Sequence, residues 1–215
     1  MKKLVIFDLD GTILDTLGDL KNSVNYSLKQ KGLKEKTTEE IKTYVGNGIE
    51  MLMRRALPSN ISEEEFQESF NVFKTHYEAN MQNETAPYDG IIEVMKSLKS
   101  QGYLIAVVSN KFQSGVDELV EKFFKDSVDI AVGTSEKIKA KPDPAAIKYV
   151  FEKLGIEGTS DIYFIGDSEV DIQTARNANL KVISVSWGFR SKEHLMKFNP
   201  DFLIDEVKDI LNIIK

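Results

Sequence analysis

The sequence predicts an α/β protein: a parallel sheet with helices on both faces, carrying an all-helical unit inserted after the first strand. Three observations predict it. Short apolar runs alternate with helical stripes along most of the chain. That alternation breaks once, between residues 16 and 86. Acidic and polar motifs stand where the apolar runs end.

Residues 4–7, 103–108, 162–165 and 182–185 are apolar runs of strand length, with shorter runs at 130–132 and 202–204. Continuous runs of this kind suit strands buried on both faces. Between them, apolar residues recur at helical spacing. Ile91, Val94, Met95 and Leu98 form one stripe. Val116, Leu119, Val120 and Phe123 form a second, and Ile147, Val150, Phe151 and Leu154 a third. Strands that alternate with helices build a parallel sheet between two helical layers, a Rossmann-like arrangement.

Residues 16–86 contain no convincing strand. Leu17, Leu20, Val24 and Leu28 form a helical stripe, and Ile49, Leu52, Met53 and Ala56 another. Ser62 with Glu65 is a capping-box pattern. Phe66, Phe70, Phe73 and Tyr77 follow at helical spacing and are expected to fill the core of a small bundle. Pro87-Tyr88-Asp89-Gly90 has the composition of a turn. The expected division is therefore residues 1–15 and 87–215 for the α/β unit and 16–86 for the helical one.

The 215 residues hold 28 basic and 34 acidic side chains, a formal charge of −6, with no basic run interleaved with aromatics. Nucleic acid is therefore not an expected partner. The chain has no cysteine, which excludes disulfides, thiol catalysis and thiolate metal sites. Asp8 interrupts the first apolar run too early for a signal peptide, and no stretch reaches membrane-spanning length. A cytoplasmic protein with no membrane partner is expected, as a monomer or weak homodimer.

Four motifs carry the candidate chemistry. In Phe7-Asp8-Leu9-Asp10-Gly11-Thr12, residues two apart on an extended chain point the same way, so Asp8 and Asp10 can converge. Gly11 permits the turn away from the sheet. Two carboxylates there suit a hard cation such as Mg²⁺, although a pair of solvated turn aspartates has the same pattern. In Val107-Val108-Ser109-Asn110-Lys111, the Ser109 hydroxyl and the Asn110 amide can donate to phosphate oxygens; Ser109 can equally be the N-cap of the next helix. In Lys141-Pro142-Asp143-Pro144, Lys141 stands just before a proline-started helix as a point charge for phosphate. In Gly166-Asp167-Ser168-Glu169-Val170-Asp171, Asp167 is placed to ligate a cation, and Asp171 lies one turn further along a helix. Taken together, these motifs place a nucleophile, a metal site and a phosphate site on one rim of one sheet.

In this order, Asp-Leu-Asp-Gly-Thr, the strand-end Ser109, Lys141-Pro-Asp-Pro and Gly-Asp-Ser-x-x-Asp resemble the four motifs of the haloacid dehalogenase-like hydrolases. The helical insert resembles their C1 cap. Tyr44-Val45-Gly46-Asn47-Gly48, Met53-Arg54-Arg55-Ala56-Leu57 and Trp187-Gly188-Phe189-Arg190 look like segments of the phosphoglycolate phosphatases. The resemblance implies a Mg²⁺-dependent phosphatase acting on a small phosphorylated metabolite through an aspartyl-phosphate. It implies that Asp8 is the nucleophile and that Asp10 is general acid and then base, with its backbone carbonyl on the metal. Asp8 and Asp167 would supply carboxylate ligands. Ser109, Asn110 and Lys141 would bind the phosphoryl group, and Asp171 would orient Lys141 or metal-bound water. Apart from the resemblance, two glycines around Asn47 form a loop whose backbone N–H groups can approach an anionic ligand closely. Gly46 and Asn47 are therefore expected to meet the far end of a small acidic substrate, although an ordinary inter-helix turn has the same pattern. A β-phosphoglucomutase-like phosphosugar mutase shares the Asp8/Asp10 pair, and pyrophosphatase or nucleotidase activity fits the same motifs. Dehalogenases and phosphonatases lack the second acid that Asp10 provides. A phospho-accepting receiver domain has no such insert.

Overall fold

The structure, a computed structural model, describes residues 2–158 and 161–214; the ends of the expected α/β unit, Met1 and Lys215, lie outside these. Among the described residues the elements run in this order: β1 (Lys3–Phe7), β2 (Leu14–Asp15), α1 (Leu17–Gln30), α2 (Thr38–Tyr44), α3 (Gly48–Ala56), α4 (Glu63–Asn80), β3 (Ala86–Pro87), α5 (Ile91–Ser100), β4 (Tyr103–Phe112), α6 (Gln113–Phe124), β5 (Ile130–Thr134), α7 (Ala145–Leu154), β6 (Ile162–Gly166), α8 (Glu169–Asn177), β7 (Lys181–Val185), α9 (Lys192–Met196), β8 (Phe202–Ile204) and α10 (Ile210–Ile213). Two compact units result. One comprises Met1–Leu14 with Pro87–Lys215, and the other Asp15–Ala86.

The larger unit is built on a six-stranded sheet in the order β5-β4-β1-β6-β7-β8, with every pair parallel. Pleating sends alternate residues to opposite faces. Val5, Phe7, Ile105, Val107 and Ile165 accordingly join one core with α5 and α6 residues such as Met95 and Leu119. Leu4, Ile6, Ala106, Val108 and Phe164 join the other with α7 and α8 residues such as Ile147 and Ile172. Leu4, Val5, Ile6 and Phe7 are fully buried, each contributing about 1.5–3 kcal/mol of transfer free energy. β1 is flanked by β4 on one side and β6 on the other. The chain fills the β4 side of β1 first and the β6 side afterwards, and the carboxyl ends of the strands at such a reversal are where open α/β sheets place their ligands.

Asp15, expected in the α/β unit, groups with the helical one, and two element boundaries also differ from the sequence expectation. β4 continues past Val108 to Phe112 with a break in register against β5, so Ser109 caps no helix and α6 begins at Gln113. The helix after Lys141 begins at Ala145, with Pro144 at its N-cap. Residues 140–143 form a turn first, closed by Asp143 N–H to the Ala140 carbonyl at 3.1 Å. The Asp143 carboxylate then accepts from Ala145 N–H at 2.9 Å.

The smaller unit is helical from α1 to α4. Capping boxes open α2 at Thr37/Glu40 and α4 at Ser62/Glu65. Phe66, Phe70, Phe73 and Tyr77 stack successively along α4, and all but Phe70 are buried. Asp19, buried in α1, accepts from the backbone N–H groups of Glu84 and Thr85 and from the Thr85 hydroxyl. Among the described residues no helix is long and apolar enough to cross a membrane.

Candidate active site

The site lies at the carboxyl ends of β1, β4 and β6. Asp8 follows β1 directly, and its N–H donates to the Ile165 carbonyl at 2.9 Å, extending the ladder by one residue. The chain then turns through Gly11 at φ +86°. A Cβ there would lie 2.4 Å from Asp167 Oδ2, so only glycine brings the first motif this close to the end of β6.

One buried ammonium joins two carboxylates. Lys141 Nζ lies 2.7 Å from Asp8 Oδ1 and 2.7 Å from Asp171 Oδ1. The other oxygen of Asp171 accepts from the Ser168 N–H at 3.1 Å and the Ser168 hydroxyl at 2.6 Å. Asp171 is thus satisfied on both sides at the start of α8, where the helix dipole favours an acid. Asp167 Oδ2 accepts from Phe189 N–H at 2.6 Å. Asn110 forms a reciprocal pair with the Lys141 backbone: its Oδ1 accepts at 2.6 Å and its Nδ2 donates at 3.1 Å. Its amide therefore holds in place the residue that carries the lysine.

Asp10 has a lysine of its own. Lys111 Nζ lies 3.1 Å from Asp10 Oδ1, and the Ser109 hydroxyl is 3.4 Å from Asp10 Oδ2. Sequence reasoning assigned Lys111 no role. Its only sequence signal is a long cationic side chain at the end of a buried strand.

Burial pushes the Asp8 carboxyl well above the usual carboxylate range. Lys141 opposes this, while Asp171 and Asp167 add to it. Burial likewise pushes Asp167 up to about 7, with Asp171 adding and the Phe189 N–H opposing. For Lys141, burial works against the charged form, but Asp171 and Asp8 outweigh it and hold the ammonium above its ordinary value. Besides the two ammonium groups, the Arg190 guanidinium also opposes the rise at Asp167. Carboxylate oxygens of Asp8, Asp167 and Asp171 lie within 4.8 Å of one another. An all-oxygen donor set that resists ionisation by itself fits a hard divalent cation. Both oxygens of Asp171 are engaged, one by Lys141 and the other by Ser168, whereas Asp8 meets Lys141 through Oδ1 and Asp167 meets the Phe189 N–H through Oδ2, so Asp8 and Asp167 are the carboxylates that could hold such an ion. The Asp10 side chain lies outside this group.

A pH dependence follows. Between about pH 4 and about pH 7 the native protein retains a proton on Asp167 that the unfolded chain has released. Native binding of more protons means that stability falls as pH rises through that window. Without divalent metal, Asp167→Asn should therefore gain stability relative to wild type from pH 5 to pH 8, by on the order of 2 kcal/mol. Thermal denaturation of both proteins in EDTA at the two pH values measures it. A difference that does not change with pH contradicts the assignment.

The structure thus gathers Asp8, Asp10, Ser109, Asn110, Lys141, Asp167 and Asp171 at one rim. Gly46 and Asn47 belong to the helical unit, between α2 and α3. Gly46 and Gly48 both take positive φ, and α3 opens at Gly48. Asn47 Oδ1 accepts from Arg55 Nη2 at 2.7 Å, and Arg55 Nη1 donates to the Tyr44 carbonyl at 2.7 Å. Arg54 pairs with Glu50 and Glu63 and lies over the Phe66 ring.

The family model described as haloacid dehalogenase-like hydrolase matches residues 5–185. The chain belongs to this family. Among its relatives is the phosphoglycolate phosphatase of Haemophilus influenzae strain 86-028NP, 32% identical, with 99% of this chain and 98% of that protein covered. The phosphoglycolate phosphatase of Pseudomonas fluorescens is 31% identical over 98% of this chain and 79% of its own length. A solved structure from Lactobacillus delbrueckii subsp. bulgaricus, provisionally assigned as a phosphoglycolate phosphatase, superposes with a TM-score of 0.94. It is 36% identical and the match covers 100% of this chain and 99% of that one. The chain is therefore a hydrolase with the α/β fold of the haloacid dehalogenase-like hydrolases.

Proposed function

We propose that this haloacid dehalogenase-like hydrolase is a Mg²⁺-dependent phosphatase that cleaves a small phosphomonoester through an aspartyl-phosphate on Asp8. The observation that carries the reading is the position of Asp8: one of its carboxylate oxygens lies 2.7 Å from Lys141 Nζ, and the carboxylate also belongs to the acidic group with Asp167. A carboxylate fixed by an ammonium is presented as a nucleophile, and covalent catalysis divides one difficult displacement into two easier ones.

The Asp8 carboxylate attacks phosphorus, and Asp10 delivers a proton to the departing alcohol oxygen. Asp10 then takes a proton from the water that attacks the phosphoaspartate. Lys141 balances charge on the phosphoryl oxygens and orients Asp8. Ser109 presents a hydroxyl beside Asp10. Asp8 and Asp167, with the Asp10 backbone carbonyl, would hold Mg²⁺, which would supply further neutralisation of phosphoryl charge.

The relatives named phosphoglycolate phosphatase make 2-phosphoglycolate the first substrate to test. Phosphate release from it should lead a panel of phosphometabolites, stop in EDTA and return with Mg²⁺. No release from any phosphomonoester at saturating Mg²⁺ would overturn the proposal.

The Gly46-Asn47-Gly48 loop is the proposed contact for the far end of the substrate, through its backbone N–H groups and the Asn47 amide. Asn47→Ala should then lower kcat/KM for the natural substrate about tenfold and leave p-nitrophenyl phosphate nearly unchanged, because that ester never uses the contact. Equal effects on both esters would return the loop to a purely structural role in holding Arg55.

A further inference from the structure

We propose that Lys111 is a positioning residue for Asp10, fixing the orientation in which that acid meets the leaving-group oxygen. The inference rests on the phosphatase reading above and adds a residue to it.

Four observations carry it. The Lys111 side chain is only 2% exposed, while that of Asp10 is 17% exposed. A lysine so enclosed acts through the neighbour that it touches, and its ammonium is 3.1 Å from Asp10 Oδ1. Burying an ammonium without a charged partner is costly, so this pairing is part of how the site is assembled. Second, the Lys111 ammonium holds one Asp10 oxygen at 3.1 Å, while the Ser109 hydroxyl stands 3.4 Å from the other as a longer, weaker contact, so the lysine is the stronger hold on this acid.

Third, the backbone is shaped to present the lysine. Register against β5 shifts between Val108 and Phe112, and such irregularities re-aim side chains beside active sites. Lys111 N–H donates to Ser109 Oγ at 3.1 Å, and its carbonyl accepts from Thr134 Oγ1 at 3.3 Å. Fourth, a Cβ on Gly133 would lie 2.6 Å from the Lys111 carbonyl oxygen, so glycine lets β5 close against this stretch. Asn110, between the two side chains that face Asp10, turns instead to Lys141. One short segment thereby orients both lysines, one toward each aspartate of the first motif.

A general acid matters most for a leaving group that departs badly unprotonated. The test is kcat/KM for Lys111→Met and Lys111→Gln over a series of aryl and alkyl phosphomonoesters whose leaving groups carry no other charge. This constant reports only the steps through alcohol release. Ratios between esters are also independent of how much of a variant is folded. The expected result is a loss that grows with leaving-group pKa, about tenfold or more greater for alkyl phosphates than for p-nitrophenyl phosphate. Inhibition by inorganic phosphate should stay within about twofold of wild type. Equal losses for all esters would make Lys111 merely structural. No loss across this series, with a loss only for a comparison ester that bears a second anion, such as 2-phosphoglycolate, would make it a substrate contact. Either outcome overturns the proposal, whereas an inactive wild type would instead remove the phosphatase reading beneath it.

Discussion

Asp8→Asn should lower kcat by at least about 10⁴-fold while the protein stays folded. The amide is isosteric but has no anionic oxygen to attack phosphorus, and the loss of an essential nucleophile leaves only binding and charge stabilisation behind. The fold should survive because burial holds the Asp8 carboxyl well above its usual range. Removing a carboxylate that the native state ionises reluctantly costs the metal-free protein little above neutral pH. Lys141 retains Asp171 at 2.7 Å. The measurement is phosphate release alongside thermal denaturation in EDTA. Turnover near the wild-type rate would remove Asp8 from the chemistry.

Lys141→Met should damage both stability and activity. Lys141 is the shared partner of Asp8 and Asp171, and the Asp171 side chain is fully buried. Breaking a buried ion pair by removing one partner typically costs about 3–5 kcal/mol, because the remaining charge has no compensation. The rate should fall by on the order of 10³-fold, as expected when a fixed positive group is withdrawn from a charged transition state. A double variant separates the two effects. Lys141→Met with Asp171→Asn should recover part of the stability, since the more deeply buried of the two carboxylates left without the ammonium is gone, but none of the activity. Recovery of activity with stability would mean that Lys141 serves the fold alone.

The fold class was legible because its signals are local. The run Leu4 to Phe7 has no polar interruption and becomes a strand buried on both faces. The stripe from Phe66 to Tyr77 keeps helical spacing and becomes α4. The limits of elements were less legible where side-chain composition and backbone path diverge. Ser109, Asn110 and Lys111 are polar enough to end a strand, yet β4 runs through them because Phe112 pairs again with Thr134 after the shift in register. Pro142 looks like a helix start, but a turn intervenes before Ala145.

Individual strand-end residues could be found from sequence, but their pairing could not. Nothing local to Lys111 shows that its ammonium reaches Asp10, 101 positions away, because that contact exists only once β1 and β4 lie side by side. The same holds for the Phe189 N–H that meets Asp167. Asn110 shows the converse. Its residue type suits a phosphate donor, whereas the structure engages its amide with the Lys141 backbone.

The stereochemical course at phosphorus tests the central claim most directly. A phosphomonoester made chiral at phosphorus with sulfur and oxygen isotopes would be hydrolysed in isotopically labelled water, and the configuration of the product determined. Each in-line displacement inverts phosphorus. Transfer to Asp8 followed by transfer to water therefore predicts overall retention, whether or not the intermediate accumulates. Overall inversion would show a single displacement by water, and the aspartyl-phosphate on Asp8 would have to be abandoned.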